Sequence, residues 1–271
     1  MRADVTTLGF AADPRTALAA PPAPVDPYEA LVTLPAGDRL VLAWLPGVAG
    51  GARGLATARA LAGRRDLVVE VVPAPAHADE APLTAAVAVA AVLRSTDDDV
   101  PLAALVPLAR AAAAALECWR VVGSVAALGR PAPSLWQHAL SWVPGTRFTV
   151  DLAGGEVRRG VDLRRRTPAP PPGPAWAAHT GAAGRAWGEE LLERAGVRAQ
   201  DVSACGHPAP GARPGAEVSV LAVPLAQLLA DPAVTSAAQC RGCDRPAPAG
   251  TCPFCGHHRT ASTTTSEEHP A

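Results

Sequence analysis

Apolar and polar residues alternate or recur along this chain in stretches short enough to assign one by one. Residues 29–34 and 39–44 are Leu- and Val-rich runs on either side of Pro35-Ala36-Gly37-Asp38. Turn chemistry between two such runs predicts a β-hairpin. A Gly-rich turn from Gly47 to Gly54 follows, then a helix over 55–61 and a strand over 66–72 that Pro73 stops. Helices are expected to dominate 82–142. There Leu102, Leu105, Ala109, Ala112, Leu116, Trp119, Gly123 and Ala126 recur in steps of three and four, one continuous stripe. Arg110, Glu117 and Arg120 fall on another face. A second hairpin is predicted from 147–152 and 156–163 around Ala153-Gly154-Gly155, with Phe148, Val150 and Leu152 on one face. Beyond it, 175–195 has the pattern of a helix carrying Trp176, Trp187, Leu191 and Leu192. A strand over 217–223 and a helix over 225–229 complete the body.

These elements predict an α+β (mixed α/β) body with two β-hairpins and Ala-rich helices, plus a small C-terminal module. The expected divisions are a disordered arm over 1–27, a body over 28–165 and a Pro-rich linker over 166–174. A helix–strand extension or second subdomain over 175–235, a metal module over 238–258 and a disordered tail over 259–271 follow. The arm ends in Ala20-Pro21-Pro22-Ala23-Pro24, and the tail is rich in Thr and Ser. A membrane span over 101–129 is the rival for the long helix. Arg110, Glu117 and Arg120 break it into runs well short of the roughly 20 apolar residues a span needs.

Composition changes the picture in two ways. All 24 basic residues counted as Lys or Arg are Arg, and the chain has no Lys, Ile or Asn. Every lysine chemistry is thereby excluded: the P-loop lysine, the Schiff base and the lysine general base. The net charge of −1 gives no whole-chain field to gather polyanions. The first residues, Met1-Arg2-Ala3-Asp4-Val5, lack the apolar core of a signal peptide. With four of the six cysteines in one cluster rather than spread along the chain, the expected compartment is a reducing cytoplasm.

That cluster is Cys240-Arg-Gly-Cys243, eight residues, and Cys252-Pro-Phe-Cys255-Gly256. Two C-x-x-C pairs this close supply four convergent thiolates, the donor set of a closed tetrahedral zinc site. The quartet resembles the short zinc ribbons at the ends of bacterial proteins, built from two rubredoxin-type knuckles; the remaining residues, roughly 240 by the module's own short span, resemble no family. The resemblance implies one structural Zn²⁺ held by Cys240, Cys243, Cys252 and Cys255, with no position open to substrate. Asp244 stands where such a knuckle usually has glycine, and Gly242 beside it relaxes the turn. Phe254 is the module's single large hydrophobe, so the metal supplies the folding energy and chelation is expected to unfold the module alone.

Other candidates are weaker. The turn from Gly47 to Gly54, between a strand and a helix and followed by Glu70, has the layout of a nucleotide site but lacks the G-x-G-x-x-G spacing, and the preceding hairpin argues against a parallel sheet. Arg158, Arg159, Arg164, Arg165 and Arg166 crowd the exit of the second hairpin, where they would grip phosphates or simply guard a solvated edge. Trp119, Trp136, Trp142, Trp176 and Trp187 have the spacing of core residues. Cys118 is expected mid-helix and buried, His138 inside the protein, and Asp97-Asp98-Asp99 at a helix start. Cys205-Gly206-His207 has no evident partners. No catalytic residue is assigned, and the balance leans away from an enzyme.

The function these features favour is a non-enzymatic cytoplasmic adaptor or regulatory protein, whose zinc ribbon, on a flexible hinge, attaches a protein partner. The alternative is a nucleic-acid-binding factor using the ribbon and the Arg158–Arg166 hairpin. A lower one is a nucleotide-binding enzyme using the Gly47–Gly54 turn. No membrane partner is expected.

Overall fold

The computed structural model describes residues 4–8, 27–34, 36–37, 39–44, 51–79, 81–96, 100, 102–163, 173–197, 202–204, 215–235, 238–247 and 250–259. It is a mixed helix-and-sheet architecture in which a pair of helices lies between two sheets. The first sheet has three parallel strands, β1 (Asp4–Leu8), β2 (Arg39–Ala43) and β3 (Leu67–Val71), in that order. Helices α1 (Pro27–Thr33) and α2 (Gly51–Leu61) cover one of its faces. Period-2 geometry divides β2 cleanly. Val41 and Ala43 join Leu31, Leu55 and Ala58 under α1 and α2, while Leu40 and Leu42 face the opposite layer. A strand buried on both faces is the signature of parallel sheet covered by helices.

The opposite layer is α3 (Leu83–Arg94) with α4 (Leu102–Ala114). Ten of the twelve residues of α3 are buried. A helix apolar all round belongs in the interior, and here it is wedged between the sheets. Next in the chain come β4 (Leu116–Val122), α5 (Leu135–Leu140), β5 (Phe148–Asp151), β6 (Glu156–Arg159), β7 (Ala175–Thr180), α6 (Gly181–Ala195), β8 (Val202–Ala204) and β9 (Gly215–Leu221). Their strands form a six-stranded sheet in the order β6-β5-β4-β9-β7-β8, antiparallel except for β7 with β8. Ala216, Val218 and Val220 of β9 pack with Leu191 of α6, whereas Leu221 joins the cluster around α3. Polar groups tie α3 to the six-stranded sheet. Thr84 Oγ1 and Ser219 Oγ lie 2.8 Å apart, and the backbone N–H of Leu83 donates to Glu217 Oε2 at 3.1 Å. Two short helices, α7 (Leu225–Leu229) and α8 (Pro232–Thr235), cover α4.

The second hairpin, α2, the strand before Pro73, β9 and α7 are where the residue pattern placed them. Phe148, Val150 and Leu152 are all buried, as their alternation requires. Other expectations are corrected. Residues 29–33 belong to a helix and not a hairpin strand, and β2 finds its partners in β1 and β3, across the chain. Residues 4–8, expected in a loose arm, form β1, and Val-Thr-Thr is a run of residue types that favour strands. The long helical stripe ends at Ala114, and Leu116 to Val122 run as the strand β4 between β5 and β9. Alanine satisfied the helical period there without specifying it. Residues 175–180 are strand and only 181–195 helix; Gly181, with φ +63°, marks the change. The linker over 166–172 and the tail beyond 259 lie outside the described residues. No helix among those described is long and apolar enough to cross a membrane.

Candidate metal centre

Four two-residue strands build the C-terminal module. β10 (Ala238–Gln239) pairs with β11 (Pro246–Ala247), and β12 (Gly250–Thr251) with β13 (His258–Arg259), both antiparallel. Each tiny hairpin carries one C-x-x-C at its tip, and the two tips repeat the same bonds. Asp244 N–H donates to Cys240 O at 2.8 Å, and Gly256 N–H to Cys252 O at 2.9 Å. Cys240 N–H donates to Arg245 O and Cys252 N–H to His257 O, each at 2.9 Å. The residue after each second cysteine is left-handed: Gly256 at φ +74° and Asp244 at φ +56°. Aspartate is among the few residues that accept this conformation, so the first knuckle closes without the usual glycine. Gly242 is needed for a different reason. A Cβ there would sit 3.1 Å from His257 Cβ and 3.3 Å from Cys255 Sγ.

The sulfurs of Cys240, Cys243, Cys252 and Cys255 lie within 4.8 Å of one another. Cys240 to Cys255 and Cys243 to Cys252 are both 3.7 Å. A tetrahedral zinc with bonds of about 2.3 Å has sulfurs about 3.8 Å apart, so the spacing suits such an ion. Charge argues the same way. The Gly242 N–H, donating to Cys240 Sγ at 3.4 Å, draws that thiol down to about 7. Burial pushes Cys243 up to about 12 and Cys252 upward too. Four thiolates cannot share so small a space without a cation, and one divalent ion resolves the conflict. The four cysteines are close enough to hold one metal ion.

The module is not free-standing. Cys240, Ala247, Cys252 and Phe254 are buried in the same apolar cluster as α3 and α4. From α2, Arg59 donates Nη2 to Phe254 O at 2.6 Å and Nη1 to Pro253 O at 3.3 Å. In return Arg245 donates Nη1 to Arg65 O at 3.2 Å and stacks its guanidinium 4.6 Å over the Phe254 ring. Burial lowers the pKa of Arg59, with the nearby Arg245 charge adding to it. Between module and body lies a cleft of about 860 Å³ lined by Arg59, Arg64, Arg65, Arg245 and Phe254. Nothing in the residue pattern pointed to Arg59, which meets the module across 194 residues of chain.

The other candidates are not brought together. Cys118 is buried as expected, but in strand β4, where Ser219 Oγ donates to its sulfur at 3.2 Å. His138 is half-buried on α5 and not an interior group. Two tryptophans expected in the core are on the surface, Trp136 at 70% and Trp142 at 85% exposure, whereas Trp119 and Trp176 are buried. Glu70, which a nucleotide site needs for a ribose, is engaged by Arg110 through bonds of 2.7 and 3.0 Å. Arg158 is paired with Glu156 across its own strand. Residues 45–50, 97–99, 164–166, Cys205 and His207 lie outside the described residues.

No family model matches the sequence, and none of the curated proteins is similar enough to count as a relative. Solved structures are similar in shape. The fatty acid kinase (Fak) B3 protein of Streptococcus pneumoniae, loaded with linoleic acid, is 12% identical, with 72% of this chain and 75% of that chain covered and a TM-score of 0.51. A DegV family protein from Eubacterium eligens, loaded with heptadecanoic acid, is 15% identical over 76% and 79%, with a TM-score of 0.48. The DegV family protein Cg2579 from Corynebacterium glutamicum is 13% identical over 83% and 98%, with a TM-score of 0.45. Of these three only the first passes one half, and at such identity what it has in common with this chain is the α/β fold.

Proposed function

We propose that this chain is a non-enzymatic binding protein, with a structural Zn²⁺ held by Cys240, Cys243, Cys252 and Cys255. The observation that carries the reading is the closed tetrathiolate cage, fastened to the body by Arg59 and Arg245. Four protein sulfurs fill a tetrahedral shell, so the ion acts as scaffold and leaves no position for a substrate. The metal module's outer side, with Arg241, Asp244, Gly256 and His257 exposed, is the surface left for attaching a protein partner.

A second reading concerns the body, and the likeness to the Streptococcus pneumoniae protein loaded with linoleic acid favours it. Long-chain fatty acid is its ligand class, by analogy of fold. The aliphatic layer around α3 and α4 matches an acyl chain in chemistry. One preparation tests both. Zinc is measured by plasma mass spectrometry, and acyl chains are extracted and counted by gas chromatography, on protein purified without added metal or lipid. One zinc and one acyl chain per chain are expected. Absence of zinc under anaerobic handling would sink the metal reading. Absence of acyl chains, together with no thermal shift on adding linoleic acid, would sink the other.

A further inference from the structure

Resting on the metal reading above, we propose that the sulfur of Cys255 is a peroxide-sensitive modification site. Its oxidation onto Cys240 opens the metal cage and loosens the module from the body. The four sulfurs are not equivalent. Cys240 and Cys252 are buried and Cys243 is half-buried, whereas Cys255 is exposed. Cys255 also lines the cleft of about 860 Å³ between module and body, a space that admits a molecule as small as hydrogen peroxide. Arg59, Arg64, Arg65 and Arg245 line the same cleft, and no carboxylate does among the described residues. Cationic surroundings favour the thiolate, which is the nucleophile, so an exposed cysteine placed there is the reactive kind. A resolving cysteine is within reach: Cys240 Sγ lies 3.7 Å from Cys255 Sγ, on the other knuckle. A disulfide needs that separation to close to about 2.05 Å.

The chemistry balances with hydrogen peroxide as the oxidant. The Cys255 thiolate attacks one peroxide oxygen, the O–O bond breaks, and a departing hydroxide leaves a sulfenic acid on Cys255. The Cys240 thiolate then attacks that sulfur; the S–S bond forms, and the S–O bond breaks to release a second hydroxide. Together the two sulfurs give up two electrons, the peroxide takes both, and a bound Zn²⁺ keeps its charge. Only Cys243 and Cys252 then remain as thiolate donors, too few for a closed tetrahedral shell. The effect reaches the body through the adjoining residue in the chain. Phe254 precedes Cys255 and is buried with α3 and α4, in the cluster to which Cys240 and Cys252 also belong. Oxidation at the exposed sulfur therefore acts on the contact between module and body, as metal removal does.

The test uses the full chain, purified with its zinc and with the metal counted before any oxidant is added. Hydrogen peroxide is then added in steps, and zinc release is followed with a chromogenic chelator. The cysteines are mapped by mass spectrometry of proteolytic peptides with fragmentation. Loss of one zinc per chain is expected, with a Cys240–Cys255 disulfide formed ahead of any other and the same fall in Tm that chelation produces. Dithiothreitol and zinc together should restore the metal and the transition. Cys255→His keeps a four-ligand shell but removes the exposed thiolate, so peroxide should not release its zinc over the time that empties the wild type. Cys243→His retains Cys240 and Cys255 and should still lose its zinc as their disulfide forms. Four results overturn the inference while leaving the metal reading intact: a first disulfide elsewhere, zinc kept by the oxidised wild type, an unchanged transition after oxidation, or equal release from Cys255→His and the wild type. Where the histidine variants hold no metal, the order of disulfides in the wild type decides. A wild-type chain that carries no zinc before oxidant is added overturns the metal reading itself, and this inference with it.

Discussion

Stripping the metal should cost the body stability, and not merely unravel the last 20 or so residues, the span of a short two-knuckle module. The reason is Phe254, which is 9% exposed and packed in the cluster that holds α3 and α4. Without the ion the knuckles have two-residue strands and the Arg59 and Arg245 contacts to hold them, too little to keep their fold, so Phe254 and Ala247 leave the cluster. Withdrawing a buried phenylalanine costs about 3–5 kcal/mol in core truncations. The bonds from Arg59 to two carbonyls add about 1 kcal/mol each at most, and part of that returns as hydration. A net loss of about 3–5 kcal/mol at 2–4 °C per kcal/mol lowers the body's Tm by roughly 6–20 °C. Differential scanning calorimetry of the loaded protein, with and without chelator, reads this directly. Cys252→Ser should reproduce the lowered transition and respond no further to chelator. A body transition that stays within about 2 °C of the loaded protein, on this same scale, would show that the module folds alone and would refute the shared-core reasoning.

Three further outcomes are expected. Glu217 accepts from Arg120 Nε at 2.8 Å and from Leu83 N–H at 3.1 Å, so Glu217→Ala leaves the Leu83 N–H unmet and should cost about 1–3 kcal/mol by urea denaturation; no loss at all contradicts this. Asp244→Gly removes a Cβ from a left-handed position and should stabilise the loaded module by up to about 1 kcal/mol, seen as a higher chelator midpoint for zinc release; a lower midpoint contradicts the backbone argument. The Asp66 carboxyl is held at about 2, below its ordinary 3.8, chiefly by the Arg64 guanidinium. Its stabilisation is complete above pH 3.8 and fades as pH falls toward 2. The pair is partly solvated, so screening limits the effect to about 1 kcal/mol or less. Asp66→Asn should flatten the stability profile over that interval alone, and an unchanged slope would remove the pair from the account.

Where the residue pattern was correct, the determinants were local. Phe148, Val150 and Leu152 alternate around a Gly-Gly turn, and β5 and β6 form as neighbours in sequence must. Asp66 to Pro73 is bounded by its own breakers. The four cysteines are legible because two short spacings by themselves bring the sulfurs near one another. Where it went astray, alanine or distance was the cause. Residues 102–126 carry a helical stripe because alanine fits any period, yet Leu116 to Val122 lie between two strands from later in the chain. Trp136 and Trp142 looked like core residues because tryptophan usually is. The capping box of Ser134 and Gln137 instead stands α5 on the surface, with the Gln137 side chain reaching Val157 O.

By itself the chain determined the grouping of its four C-terminal cysteines, the exclusion of lysine catalysis and the hairpin of β5 and β6, whose turn and strands are adjacent. Tertiary structure alone decided that β2 pairs in parallel with β1 and β3, that α3 is enclosed between two sheets, and that Arg59 meets the second knuckle. The physical reason is common to all three. Each is a contact between segments far apart in sequence, chosen by which apolar faces can be buried together, and no local period encodes that choice.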